Sequence, residues 1–443
     1  MKQIFSILLT MALTQALFSQ DTTVQKLDEM LTAYARLGKF NGSALVARQG
    51  KILLEKGYGF NNFHDSILNN ANTVYQIASV TKQFTSTVVL KLAELNKLSL
   101  TDKVSKYYPD FPKADSISIE NLLTHTSGIS DNSKDTSLAI YKGSDEQVFL
   151  ASLKSREFDF PPGTSWNYSN SGYILLGYII QKASNMTYYE AVRKYIFAPL
   201  KMSSSGFDFI HLANKDKATG YWSFPENRDV PGATIIDSSA PRAAGAIYST
   251  VDDLYKWHKG LQTYRIVSQA SLNKAYTPFK RNYGYGWMID SLFNRRVIHH
   301  SGDIWGFKSD ITRITEDDIC VVLLNNIEDQ DLDLITKKLL KILCSQPYTL
   351  PAKNEIALGD AMLTKYTGHY EMQPGMVIEV TLEKGHLFAM TDRKEELYAQ
   401  KENFFLVDGD SPMGIEFGTD ETGKIIDLSF NKAGQKISCK KIK

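Results

Sequence analysis

Ser79-Val80-Thr81-Lys82 sets a hydroxyl three residues ahead of an amine. The preceding stretch, Asn72 to Ala78, is rich in β-branched and aromatic residues and reads as extended. Beyond it, Phe84, Val88, Val89, Leu92 and Leu95 recur at helical spacing, which predicts a helix beginning at or near Ser79. Residues i and i+3 share one helix face, so Ser79 and Lys82 can touch without any long-range contact. Unpaired N–H groups at a helix start also favour a developing negative charge. The set suits nucleophilic catalysis, and the plain alternative for Ser79 alone is a helix cap.

Two further clusters carry chemistry-bearing residues. Tyr168-Ser169-Asn170 follows the turn Phe160-Pro161-Pro162-Gly163-Thr164 and precedes Ser171 to Ala183, where Tyr173, Leu176, Gly177 and Ile180 recur at helical spacing. A tyrosine can move protons when nearby cations lower its pKa from about 10. An asparagine supplies a donor and an acceptor to a substrate amide. The plain alternatives are a packed tyrosine and a helix cap. His300-Ser301-Gly302 closes an expected strand at Arg296 to His300, and glycine there permits close backbone approach. His299 and His300 point to opposite strand faces, so they cannot jointly hold a metal. The chemistry requires no cofactor and no metal.

The elements that must hold these residues are legible in outline. Val24 to Leu37 has helical spacing, and Ser43 to Ala47 with Ile52 to Tyr58 reads as a hairpin. Signals from Val80 to about Leu272 are mainly helical. Strands return at Arg296 to His300, Phe307 to Ile314 and Ile319 to Leu324, before a helix at Asp331 to Leu343. The expected fold is α+β: one antiparallel sheet built from both ends of residues 20–346, out of segments 40–60 and 294–326, with a helical insertion at about 80–290. Residues 347–356 read as a linker. Residues 357–443 read as a small antiparallel β domain, with strands at 377–382, 386–390, 397–400, 404–407, 415–417 and 425–430.

Of the 443 residues, 43% are apolar and 22% charged, and the formal net charge is +1. No charge run or basic-aromatic alternation suggests a nucleic-acid surface. Residues 1–19 carry Lys2, an uncharged apolar stretch from Ile4 to Leu17 and the small Ser19, which reads as a cleavable export signal. The expected location is periplasmic or secreted, with no stable membrane insertion after cleavage; an uncleaved anchor is the alternative. Cys320, Cys344 and Cys439 cannot all pair with one another, and Cys320 in the run Ile319 to Leu324 reads as a buried thiol.

The three clusters, in this order, resemble the signature of the serine β-lactamase and penicillin-binding protein family: Ser-x-x-Lys, Tyr-x-Asn and Lys/His-x-Gly. Glu120 to Ile129, Pro199 to Met202 and Ala244 to Thr250 are also similar to that family, over roughly Leu27 to Cys344. The Tyr-x-Asn form resembles the branch of class C β-lactamases, D-aminopeptidases and esterases, and the C-terminal module a lipocalin-like appendage. The resemblance implies Ser79 as nucleophile, and Lys82 and Tyr168 sharing the base and proton-return work. It implies Asn170, His300, Ser301 and Gly302 as substrate-binding residues, with backbone N–H groups of Ser79 and Asp303 as the oxyanion hole. Which of Lys82 and Tyr168 accepts the proton stays open, because the pair titrates as a unit.

Two departures bear on substrate. His300 stands where most β-lactamases and D,D-peptidases have lysine, which removes a fixed positive charge. Asp303 brings a negative charge beside the oxyanion hole. The expected function is hydrolysis of an ester or amide, including a D-amino-acid peptide or β-lactam, on a small-molecule or peptide substrate. The alternative is a non-catalytic binding or sensing protein. His125 is expected to fix a loop, and Trp305-Gly306-Phe307 either to floor a pocket or to pack in the core.

Overall fold

The computed structural model describes residues 22–131, 145–225, 228–351, 356–383, 385–390, 394–407, 414–432 and 435–442. The expected export signal at 1–19 lies outside them. The chain forms two compact units that divide between Tyr348 and Thr349.

The first unit opens with helix α1 at residues 22–36, then hairpin β1 (Gly42–Arg48) and β2 (Lys51–Tyr58). The two-residue turn between them places Gln49 and Gly50 at φ 52° and 73°, the left-handed pair that suits a tight hairpin. Late in the unit come β3 (Met288–Leu292), β4 (Arg295–Ile304), β5 (Phe307–Ile314), β6 (Ile319–Asn325) and helix α4 (Leu332–Leu343). The sheet order is β2-β1-β6-β5-β4-β3, so the two ends of the unit join at the β1–β6 pair. Strand β3 lies before the expected late segment and was not anticipated. Its run Met288-Ile289-Asp290-Ser291-Leu292 has weak apolar alternation and becomes a strand by pairing with Leu292↔Arg295 through Met288↔His299.

Period-two alternation splits the sheet between two cores. Leu45, Ala47, Cys320, Val322 and Leu324 face the helical insertion, whereas Ala44, Val46, Ile319, Val321 and Leu323 face α1 and α4. Both β1 and β6 are therefore buried on both faces, which is why they read as unbroken apolar runs. Cys320 is the buried thiol expected of it.

Helix α2 (Thr81–Glu94) runs through the insertion. Lys82, Thr81, Gln83, Thr85, Ser86 and Thr87 are buried beside Phe84, Val88, Val89 and Leu92, so the helix has no solvent face along its first half. Several of its polar groups are matched: Gln83 Oε1 accepts from Trp257 Nε1 at 3.0 Å, and Thr85 Oγ1 donates to the Ala243 carbonyl at 2.6 Å. Leu95, placed on the helical stripe by spacing, instead caps the helix and is 45% exposed.

The second unit is a closed antiparallel barrel of eight strands. Strands at Gly368–Gln373 and Gln435–Lys441 join the six expected ones and close it through Tyr370↔Lys441. Closure removes the sheet edges that a small β module would otherwise expose. Its interior is filled by side chains including Tyr366, Tyr370, Phe405, Phe417 and Leu428.

Candidate active site

The site is assembled where α2 begins. Residue 77 is pinned from two sides: its N–H donates to the Ile247 carbonyl at 2.9 Å, and its carbonyl accepts from Ser309 Oγ of β5 at 2.8 Å. The chain must then turn sharply, and Ala78 takes φ 46°, a left-handed conformation costing a non-glycine residue roughly 1–2 kcal/mol. Ala78–Val80 form a tight 3-10 turn before α2 starts at Thr81. Ser79 thus sits on the turn ahead of the helix, half-exposed, with no side-chain capping role.

Lys82 is fully buried. Its Nζ lies 3.0 Å from Ser79 Oγ, 2.7 Å from Asn170 Oδ1 and 2.8 Å from the Ala244 carbonyl oxygen. Burial lowers its pKa to about 7, against an opposing pull from the Asp131 carboxylate. An amine near neutrality at pH 7 is able to accept a proton. The acceptors then decide the direction. The amide oxygen and the carbonyl can only accept, so neutral Lys82 spends its two N–H groups on them and turns its lone pair to Ser79 Oγ.

The Tyr168 hydroxyl interacts with the Ser79 side chain, which partly offsets the rise in its pKa, and the Lys82 Nζ lies 4.8 Å from its ring centroid. Burial nevertheless pushes its phenol above the ordinary value, and the Asp131 charge adds to the rise. The condition for easy proton transfer, a pKa lowered by nearby cations, is not met: desolvation dominates, and Tyr168 is a phenol at neutral pH. Helix α3 (Asn170–Ser184) starts directly after it, with Ser169 as the cap accepting from the Gly172 N–H. Asn170 is the first helical residue rather than the cap, which leaves its side chain for Lys82.

His125 organises this loop, as expected of it. Its carbonyl accepts from the Asn167 N–H at 3.1 Å, and its Nδ1 accepts from the Ser169 N–H at 3.1 Å. The ring is buried, 4.4 Å from that of Tyr168, and burial holds its pKa well below the usual range. Asp131, which sequence reasoning missed, accepts from both the backbone N–H and the Nδ2 of Asn170, each at 3.2 Å. Nothing in its local sequence marks it, because its role depends on a residue 39 positions away.

The third cluster arrives on β4. That strand was expected to end at His300 but continues to Ile304, because β5 pairs with it through Ser301↔Asp310, Gly302↔Ser309 and Asp303↔Lys308. A Cβ on Gly302 would lie 2.3 Å from the Ile77 carbonyl oxygen and 3.1 Å from Ala78 Cβ. The glycine thus lets β4 run against the turn that carries Ser79. His300 is buried, with Nδ1 2.6 Å from the Ser301 carbonyl oxygen and Nε2 3.0 Å from Tyr283 Oη. A carbonyl only accepts, so Nδ1 carries the proton and Nε2 accepts from the tyrosine. Burial and the Lys82 charge lower its pKa to about 3, so this position supplies no positive charge. The Asp303 carboxylate, expected to repel anions, is exposed and paired with Lys308, which offsets it. Ser301 is exposed. Phe307 packs in the core, and half-exposed Trp305 meets Trp222 at 5.3 Å. Among the described residues, no cluster of three or more His, Cys, Asp or Glu is placed to hold a metal ion.

A helical insertion on an antiparallel sheet, with Ser-x-x-Lys, Tyr-x-Asn and His-x-Gly brought side by side, is the arrangement of serine β-lactamases. Residues 23–342 match the beta-lactamase family, and the chain belongs to it. Residues 352–441 match a second family, described as a domain of unknown function (DUF3471). The chain is 28% identical over 398 residues to a penicillin-binding protein of Bacillus subtilis (strain 168), covering 82% of this chain and 87% of that one. It is similar in structure to the octameric penicillin-binding protein homologue from Pyrococcus abyssi, with a TM-score of 0.70, 25% identity, and coverage of 94% of this chain and 98% of the other. A D-stereospecific amidohydrolase from Streptomyces sp. shares the fold, with a TM-score of 0.62 at 24% identity over 73% of this chain and 99% of the other.

Proposed function

We propose that the protein is an exported serine hydrolase that cleaves an ester or amide of a small-molecule or peptide substrate through an acyl-Ser79 intermediate. The observation that carries this reading is Lys82 Nζ at 3.0 Å from Ser79 Oγ, buried, with its two other contacts restricted to acceptors. Lys82 takes the Ser79 proton as Oγ attacks the carbonyl carbon. The N–H groups of Ser79 and Asp303 hold the oxyanion, a stabilisation worth roughly 2.7–4 kcal/mol per donor. Tyr168, a buried phenol that interacts with the Ser79 side chain, gives its proton to the departing alcohol or amine and is recharged from the Lys82 ammonium. Water then attacks the acyl ester, with Lys82 again as base.

Two features favour neutral or amine-bearing acyl groups over carboxylate-bearing β-lactams. His300 is uncharged, and the Lys308 ammonium beside the third motif is paired with Asp303. The D-stereospecific amidohydrolase in the fold comparison makes D-aminoacyl amides a first substrate class to examine. Export rests on the apolar, uncharged stretch Ile4 to Leu17 behind Lys2.

The test combines intact-protein mass spectrometry after a fluorophosphonate with turnover of p-nitrophenyl acetate, nitrocefin and D-aminoacyl anilides. The expected result is a single adduct on Ser79 and at least a roughly 10⁴-fold loss of turnover in Ser79→Ala. Unchanged turnover in that variant defeats the reading. N-terminal sequencing of protein recovered outside the cytoplasm checks export.

A further inference from the structure

We propose that Asp131 is a positioning residue that acts through Asn170, fixing the side-chain amide so that the Lys82 lone pair faces Ser79. The inference rests on the serine hydrolase reading above. Asp131 is 6% exposed, and its two oxygens take two of the three N–H bonds that Asn170 offers, one from the backbone and one from the side-chain amide. A carboxylate accepts and never donates, so the amide group facing it must be Nδ2. The amide oxygen is then turned to Lys82, at 2.7 Å.

That orientation matters because of what the amine has left. With Asn170 Oδ1 and the Ala244 carbonyl as obligate acceptors, the lone pair of neutral Lys82 is aimed at Ser79. Flipping the Asn170 amide would present a donor to Lys82. The lone pair would turn to that donor, and an N–H would turn to Ser79, which is the wrong polarity for taking its proton. The carboxylate also acts at a distance. The other groups facing Lys82 are the rings of Tyr168 and Tyr173, at 4.8 and 5.6 Å, and the neutral His125 and His300. Asp131 is the anion whose charge opposes the effect of burial on the amine.

The test measures the rate of Ser79 acylation by p-nitrophenyl acetate against pH, in wild type, Asp131→Asn and Asp131→Glu. Asparagine sets one of its own donors against the donors of Asn170 and removes the charge. The plateau rate is expected to fall about tenfold to a hundredfold. The acid limb is expected to move about one pH unit lower, because the ammonium form loses a partner. A residue that only supports the fold would lower the rate without moving the limb. Glutamate keeps the charge but displaces the oxygens, so the limb stays and the plateau falls. A wild-type plateau and limb in Asp131→Asn overturn the inference while leaving Ser79 acylation intact. Should that variant fail to fold, a wild-type plateau in Asp131→Glu overturns it. Absence of any Ser79 adduct in the wild type would remove the hydrolase reading and this inference together.

Discussion

The pH dependence of acylation is the sharpest consequence of the Lys82 environment. A lysine with the ordinary pKa of about 10.4 has fewer than one neutral amine in about a thousand at pH 7. Lys82, with its pKa lowered by burial to about 7, is half neutral there. The difference corresponds to about 4–5 kcal/mol between the two protonation states. Only the neutral form can take the Ser79 proton, so the acylation rate should rise with pH and level off. About a tenth of the enzyme is competent at pH 6 and about nine-tenths at pH 8, a tenfold loss per unit on the acid side. The assay is the pre-steady-state burst of p-nitrophenolate from p-nitrophenyl acetate, between pH 5 and 9.5. Lys82→Arg, whose guanidinium keeps its proton, should lose the limb and fall by about 10⁴-fold. A rate flat from pH 5 to 9 would refute a lysine base. A rate still climbing about tenfold per unit at pH 9.5, with no plateau, would instead assign the step to a Tyr168 phenolate, whose pKa burial raises.

Gly302→Ala should depress acylation by at least about a hundredfold with little change in substrate KM, since a Cβ 2.3 Å from the Ile77 carbonyl must displace the turn bearing Ser79; steady-state kinetics with retained circular dichroism check it. Asp310 is buried, with its pKa raised to about 6 by desolvation, while Thr312 and Thr336 donate to its Oδ1 at 2.7 and 3.1 Å. A raised folded-state pKa means stability is fullest below about pH 4 and is lost as pH rises through about 6. Asp310→Asn should therefore be more stable than wild type at pH 7.5, by up to about 3 kcal/mol, with the advantage vanishing near pH 4. Urea titrations at both pH values measure it, and a destabilised variant at pH 7.5 would contradict the argument.

Much of the fold was legible because its signals are local. Ser43 to Ala47 and Ile319 to Leu324 read as strands because both faces are buried, and Tyr173, Leu176 and Ile180 mark the stripe of α3. Where the reading fell short, pairing was the cause. Strand β3 and the end of β4 are set by partners on neighbouring strands, not by their own patterns. The two missed barrel strands close on one another across the length of the second unit.

The amino-acid sequence by itself determined the identities and order of Ser79, Lys82, Tyr168, Asn170, His300 and Gly302, because spacing along one chain is enough to place a serine and a lysine on one turn. Only the tertiary structure decided what those groups can do. The low pKa of Lys82, the high pKa of Tyr168 and the neutrality of His300 all come from desolvation by surrounding elements. Asp131 became visible only once the loop after His125 lay against the start of α3. Charge state and hydrogen-bond polarity depend on the distance and dielectric between groups, and those exist only after segments remote in the chain have packed together.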